Sequence, residues 1–255
     1  MSHNHSSERV SEAFIRAAGH HEAAHRQGHV IARSPASEGH SRPFSIAISR
    51  EAGTRGPAVA LAVSERLGWK VYDHELLELV ARDLKVRVKL LEVVDERHIT
   101  WLQECVEAFA AVPAVREGKY VRHLIEILLS LATRGRCVIV GRGSPFVLPP
   151  ATTLRVRLVA PLEDRIAVVS RERKLSRNEA ARFVEVTDRD RARFVKMHFQ
   201  RDSSSTRHYD LVLNTAQFSI DQCADLIVDA MSAKAREHTA QGTRTCFEPI
   251  LVGGE

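Results

Sequence analysis

Five short apolar runs, each followed by a stretch of helical periodicity, constrain this chain more than any other feature. They read "FSIAIS" (44–49), "WKVY" (69–72), "RCVIVG" (136–141), "TLRVRLVA" (153–160) and "YDLVLNT" (209–215). The third is almost unbroken in apolar residues, the mark of a strand covered on both faces. Between the runs, Val59, Val63 and Leu67 repeat at helical spacing, as do Leu124, Ile125, Leu128 and Leu131. Pro57 suits the first position of a helix. Ser176 with Glu179, and Ser219 with Gln222, carry the spacing of capping boxes. Strands that alternate with helices predict an α/β fold, a parallel five-stranded sheet flanked by helices.

Three segments follow from the same pattern. Residues 1–43 hold seven of the 13 histidines and lack strong apolar periodicity, so they read as a disordered polar arm. Clustered imidazoles can capture transition metals, but no fixed ligand spacing is present. Residues 44–232 form the structured domain, and 233–255 a C-terminal tail. Within the domain, 83–118 has no strand signature and predicts a helical insertion, with Leu90, Leu91, Val94, Trp101, Leu102 and Phe109 as its apolar positions.

Charge and cysteine content narrow the partners. The net charge is +5, yet residues 142–207 alone carry +7, from 13 Arg and 2 Lys against 8 acidic residues. Positive charge gathered in about a quarter of a chain calls for an anionic partner. Nucleotides with several phosphates satisfy this. A single-stranded nucleic acid fits less well, because interleaved aromatic stacking platforms are missing. The four cysteines (Cys105, Cys137, Cys223, Cys246) show no CxxC spacing, and Cys137 lies inside an apolar run as a small core residue. No apolar run of about 18 residues argues for a membrane span, and a cytoplasmic address is expected.

The chemistry concentrates after the first strand. Arg50-Glu51-Ala52-Gly53-Thr54-Arg55-Gly56 joins the strand to a helix that opens at Pro57. Open α/β sheets bind ligands beyond the carboxyl ends of their strands, and a helix N-terminus offers free amides to anions. Gly53 and Gly56 allow the backbone to approach an oxygen closely, or simply make the turn. The Lys-Ser/Thr ending of a standard phosphate loop is absent; Arg50 or Arg55 would have to supply its charge. Arg142 stands between Gly141 and Gly143 at the end of the third strand, where a guanidinium can fork a phosphate. Asp190 and Arg193, three apart, share a helix face, whereas Arg189 and Arg191 read as local surface ion pairs.

The order "ISRE.GTRG…LGWKVYD.ELL…VIVGRG…LP…RVRLVAPLEDRI…LS..EA…TDRDRARF…YDLVLNT" resembles the cytidylate kinase-like family, a branch of the P-loop nucleoside monophosphate kinases, over about residues 44–232. The resemblance implies a monophosphate-binding helical region and an arginine-rich lid. It further implies ATP-dependent phosphoryl transfer to a nucleoside monophosphate, with CMP or dCMP the expected acceptor and ATP and Mg²⁺ as cofactors. Under it, Gly53, Thr54, Arg55 and Gly56 form the phosphate loop. Asp73, Arg142 and Arg193 bind the acceptor, and Arg50, Arg171, Arg173 and Asp190 serve catalysis. Ser49 and Thr54 are the candidate magnesium ligands.

This chain departs from the superfamily pattern at four places. The phosphate-loop lysine corresponds to Gly56 and the hydroxyl residue after it to Pro57. An aspartate after the arginine of the third strand is Gly143, and a lid arginine is Val186. A nucleotide-binding regulator that keeps the fold without turnover is therefore the alternative reading.

Overall fold

The computed structural model describes residues 43–73 and 119–240. The His-rich arm before Pro43, the whole of the expected helical insertion at 83–118, and the chain beyond 240 lie outside the described residues. In chain order the elements are β1 (Ser45–Arg50), α1 (Gly56–Leu67), β2 (Lys70–Tyr72), α2 (Lys119–Arg134), β3 (Cys137–Val140) and α3 (Ser144–Val147). There follow β4 (Thr153–Val159), α4 (Leu162–Arg173), α5 (Arg177–Phe199), a 3-10 turn (Thr206–His208), β5 (Leu211–Asn214) and α6 (Ile220–Ala240). The five strands form one sheet in the order β2-β3-β1-β4-β5, with every pairing parallel. The predicted parallel sheet flanked by helices is the fold observed.

Strand alternation divides the core into two layers. Ile46 and Ile48 of β1 face one way, with Val138, Val140, Val156 and Leu158, against Val59, Ala60 and Val63 of α1 and Ala224 and Ile227 of α6. Ala47 and Ile139 face the other way, against Leu124, Ile125, Leu128 and Leu131 of α2. Successive side chains of a strand point to opposite faces, so an unbroken apolar run such as β3 serves both layers at once. Cys137 is buried here as a free thiol, and burial pushes its pKa up to about 12.

Both expected capping boxes are present. The Ser176 hydroxyl accepts from the Glu179 amide while Glu179 accepts from the Ser176 amide. Ser219 and Gln222 make the same reciprocal pair at 3.1 and 2.9 Å. The helix α6 continues past residue 232, because Lys234 donates to the Thr153 carbonyl and the Asp210 carboxylate, both at 2.8 Å, and His238 meets the Phe44 ring edge-on.

β1 is central, with β3 on one side and β4 on the other. The chain thus leaves in opposite directions around the carboxyl end of β1, the place where open α/β sheets leave a crevice. The helical pair α4 and α5 folds back over this end. It packs Ile166, Val169, Ala180 and Val184 onto Ala52 of the loop after β1.

Candidate functional site

The loop 50–56 is held from behind and open in front. The Glu51 amide donates to the Leu158 carbonyl at 3.1 Å, and the Ala52 amide to Asp188 Oδ1 at 2.7 Å. Thr54 is fully buried and its hydroxyl donates to the Glu51 carbonyl at 2.8 Å. Gly53 (φ 83°) and Arg55 (φ 52°) are both left-handed, flanking Thr54. A Cβ on Gly53 would lie 2.5 Å from the Arg165 carbonyl oxygen, so glycine is required there by close packing of α4. The amides of Gly53, Arg55 and Gly56 have no acceptor among the described residues. Successive amides around left-handed residues form a concave anion nest, here at the mouth of α1.

Two clefts flank the loop. The first, of about 540 Å³, is lined by Ser49, Arg50 and Glu51, by Gly141, Arg142 and Gly143, and by Asp188, Asp190 and Arg191 of α5. Phe146 and Phe194 close its far wall, with the Arg142 guanidinium 5.6 Å from the Phe194 ring centre. The second, of about 440 Å³, lies between Gly53 and Arg55 of the loop, Arg171 of α4, and residues 215–219 after β5.

The first cleft brings four arginines, Arg50, Arg142, Arg157 and Arg191, together with four carboxylates, Glu51, Asp188, Asp190 and Asp202. Burial pushes the Arg50 guanidinium down to about 9, with Arg191 and Arg142 adding repulsion and Asp73 opposing it. Arg191 is also lowered by burial; Asp188 counteracts this and Arg142 reinforces it. A buried cation lowered by its cationic neighbours is in an environment that favours an added anion.

A carboxylate network fixes α4 and α5 to the loop. Glu51 accepts from Arg157 Nη2 at 3.5 Å and from the Ala160 amide at 3.3 Å, with Arg165 Nε at 3.4 Å. Arg165 reaches across to Asp188, whose other oxygen holds the Ala52 amide.

The expected site residues distribute unevenly over this geometry. Arg50, Arg142, Asp190 and Ser49 line the first cleft, and Asp73 acts on Arg50 through its charge. Gly53, Arg55 and Arg171 line the second. Arg193 is exposed and lies outside the lining of either cleft, while Arg173 stacks on Phe183 at 4.1 Å. Arg191, read from sequence as a surface ion pair, instead lines the first cleft and donates to the Arg50 carbonyl at 3.2 Å. Arg189 is the surface residue, 3.8 Å from Glu185. The helix places Arg191, not Arg193, on the face that α5 turns to the loop. Asp188 and Arg191 are three positions apart, the same spacing as Asp190 and Arg193, so the sequence held no signal that separates the two arginines.

The two candidate magnesium ligands do not fit that role. The Thr54 hydroxyl is buried against the Glu51 carbonyl. The Ser49 hydroxyl lies 3.1 Å from the Arg157 guanidinium and 3.3 Å from the Tyr209 hydroxyl, so a cation would face an adjacent fixed positive charge. No cluster of three or more His, Cys, Asp or Glu suited to a metal exists among the described residues. Nor is any helix among them long and apolar enough to cross a membrane.

The fold has a counterpart among solved structures. A crystal structure of an uncharacterized protein from Eubacterium ventriosum superposes with a TM-score of 0.60 at 20% identity, covering 74% of this chain and 98% of that one. A shikimate kinase from Bacteroides thetaiotaomicron matches at a TM-score of 0.41 and 12% identity, over 74% of this chain and 98% of that one. Among curated proteins, a uronate isomerase of Corynebacterium glutamicum is 32% identical over 130 residues, which are 51% of this chain but only 25% of that protein. The family model for the cytidylate kinase-like family matches residues 45–217, well over half of the sequence. The chain belongs to the cytidylate kinase-like family.

Proposed function

We propose that the protein transfers the γ-phosphoryl group of ATP to a nucleoside monophosphate, with CMP or dCMP the expected acceptor. The observation that carries this reading is the open amide loop standing between two clefts, one of them crowded with arginines. The nucleoside of ATP occupies the second cleft, between Arg171 and the segment 215–219. Its triphosphate crosses the nest of Gly53, Arg55 and Gly56. The acceptor phosphate enters the first cleft, where Arg142 and Arg191 hold it and Asp190 orients the nucleoside. Phosphoryl transfer needs little covalent help, so positioning and charge neutralisation suffice. Magnesium arrives on the ATP phosphates and neutralises part of their charge.

The test is ADP formation by the purified protein with ATP, Mg²⁺ and a panel of monophosphates. Release that depends on one acceptor supports the enzyme. ATP binding without acceptor-dependent ADP favours the second reading, a nucleotide-binding regulator. The glycine and proline at positions 56 and 57, and the poor fit of Ser49 and Thr54 to magnesium, speak for that reading.

A further inference from the structure

The lysine absent from the phosphate loop leaves a question that the side chain of Arg50 answers. A Cβ built on Gly56 would meet Arg50 Cγ and Cδ at 3.0 Å and its Cβ at 3.3 Å. The Arg50 stem therefore fills the space where a side chain at 56 would begin. Further along, a Cβ on Gly141 would collide with Arg50 Nη1. The side chain thus runs from the end of β1 over the first turn of α1 to the end of β3, passing close to the bare Cα atoms of Gly56 and Gly141. Its backbone carbonyl is held by Arg191 at 3.2 Å. Arg55, the other nearby cation, is no equivalent. It is 37% exposed, opens on the second cleft, and lies 3.9 Å from Glu172, so solvent and a carboxylate screen it.

We infer that Arg50 takes the place of the phosphate-loop lysine, reaching the transferred phosphoryl group from the preceding strand, and that Arg50 and a lysine at 56 are mutually exclusive. This rests on the phosphoryl-transfer reading and names the cation of that same site. An acceptor phosphate oxygen bonds to the γ-phosphorus as the bond from that phosphorus to the β–γ bridging oxygen breaks. The electron pair leaves on ADP, and no proton needs to move at that step. The Arg50 guanidinium faces the oxygens on which charge gathers, and its planar fork can engage two of them where an ammonium engages one point.

The experiment measures ATP affinity by calorimetry for wild type, Arg50→Ala, Gly56→Lys and the double variant, with circular dichroism to verify folding. Arg50→Ala should lose roughly ten- to a hundredfold in affinity. Gly56→Lys alone should also bind poorly, because Arg50 occupies the space. The double variant, with the stem removed and a lysine supplied, should return to within about threefold of wild type, a rescue expected of neighbours that share one space. A merely structural role for Arg50 would not produce that rescue. The inference is overturned if Arg50→Ala binds like wild type, if Gly56→Lys alone does so, or if the folded double variant binds no better than Arg50→Ala. If wild type itself does not bind ATP, the phosphoryl-transfer reading fails first, and the inference falls with it. Should Arg50→Ala not fold, Arg50→Gln keeps most of the stem, and wild-type affinity in that variant would equally overturn the inference.

Discussion

Raising the pH from 7 to 10 should weaken ATP binding by about tenfold through Arg50 alone. In the ligand-free protein its guanidinium is pushed down to about 9, by burial first and then by Arg191 and Arg142. At pH 10 it is one unit above that value and roughly nine-tenths neutral. A bound phosphate restores the charged form, so binding then takes up a proton. Each pH unit above 9 weakens affinity about tenfold, close to 1.4 kcal/mol. Folding has the opposite sign. The folded value lies below that of an ordinary arginine, so the unfolded chain holds more protons from about pH 9 upward. Arg50's unfavourable contribution to the ligand-free fold is therefore fully present at pH 7 and is relieved as pH rises through 9. Calorimetric titration with ATP at pH 7, 8, 9 and 10, at constant ionic strength, measures the first effect. Thermal melts without ligand follow the second. Arg50→Met should remove the steep part of the affinity curve. Affinity that stays flat from pH 7 to 10, or falls equally in Arg50→Met, would refute the reasoning.

Replacing Arg142 or Arg191 by Lys keeps the charge but loses the planar contact, and kcat/KM for the acceptor should fall roughly ten- to a hundredfold. Arg193→Lys, outside both clefts, should stay within about threefold of wild type in the same assay, like the exposed Arg177→Lys. Asp188→Asn breaks the pair with Arg165 and weakens the hold on the Ala52 amide; urea denaturation should register a loss of about 1–3 kcal/mol. Lys234→Met removes the donor to Thr153 and Asp210 and should lower stability by about 1–2 kcal/mol in the same measurement.

The alternation of apolar runs and helical patterns determined the parallel sheet, because the burial of each strand is written in its own residues. The capping boxes at Ser176 and Ser219 were equally legible, since partners three residues apart meet whatever the rest of the chain does. The loop after β1 could be located from Gly53 and Gly56, but its chemistry could not be read there. Which cation replaces the missing lysine depends on the path of a long side chain across two other elements. Arg50 and Arg55 are equivalent in sequence and opposite in placement. The same holds for Arg191 and Arg193: both lie on one helix, and only the angle at which α5 crosses the loop turns the first inward. The Ser49 hydroxyl looked available until β4 and the segment before β5 brought Arg157 and Tyr209 against it. Local interactions are fixed by short spacing along the chain. Much of the electrostatics of the site comes from residues tens to more than a hundred positions apart, and packing alone brings those together.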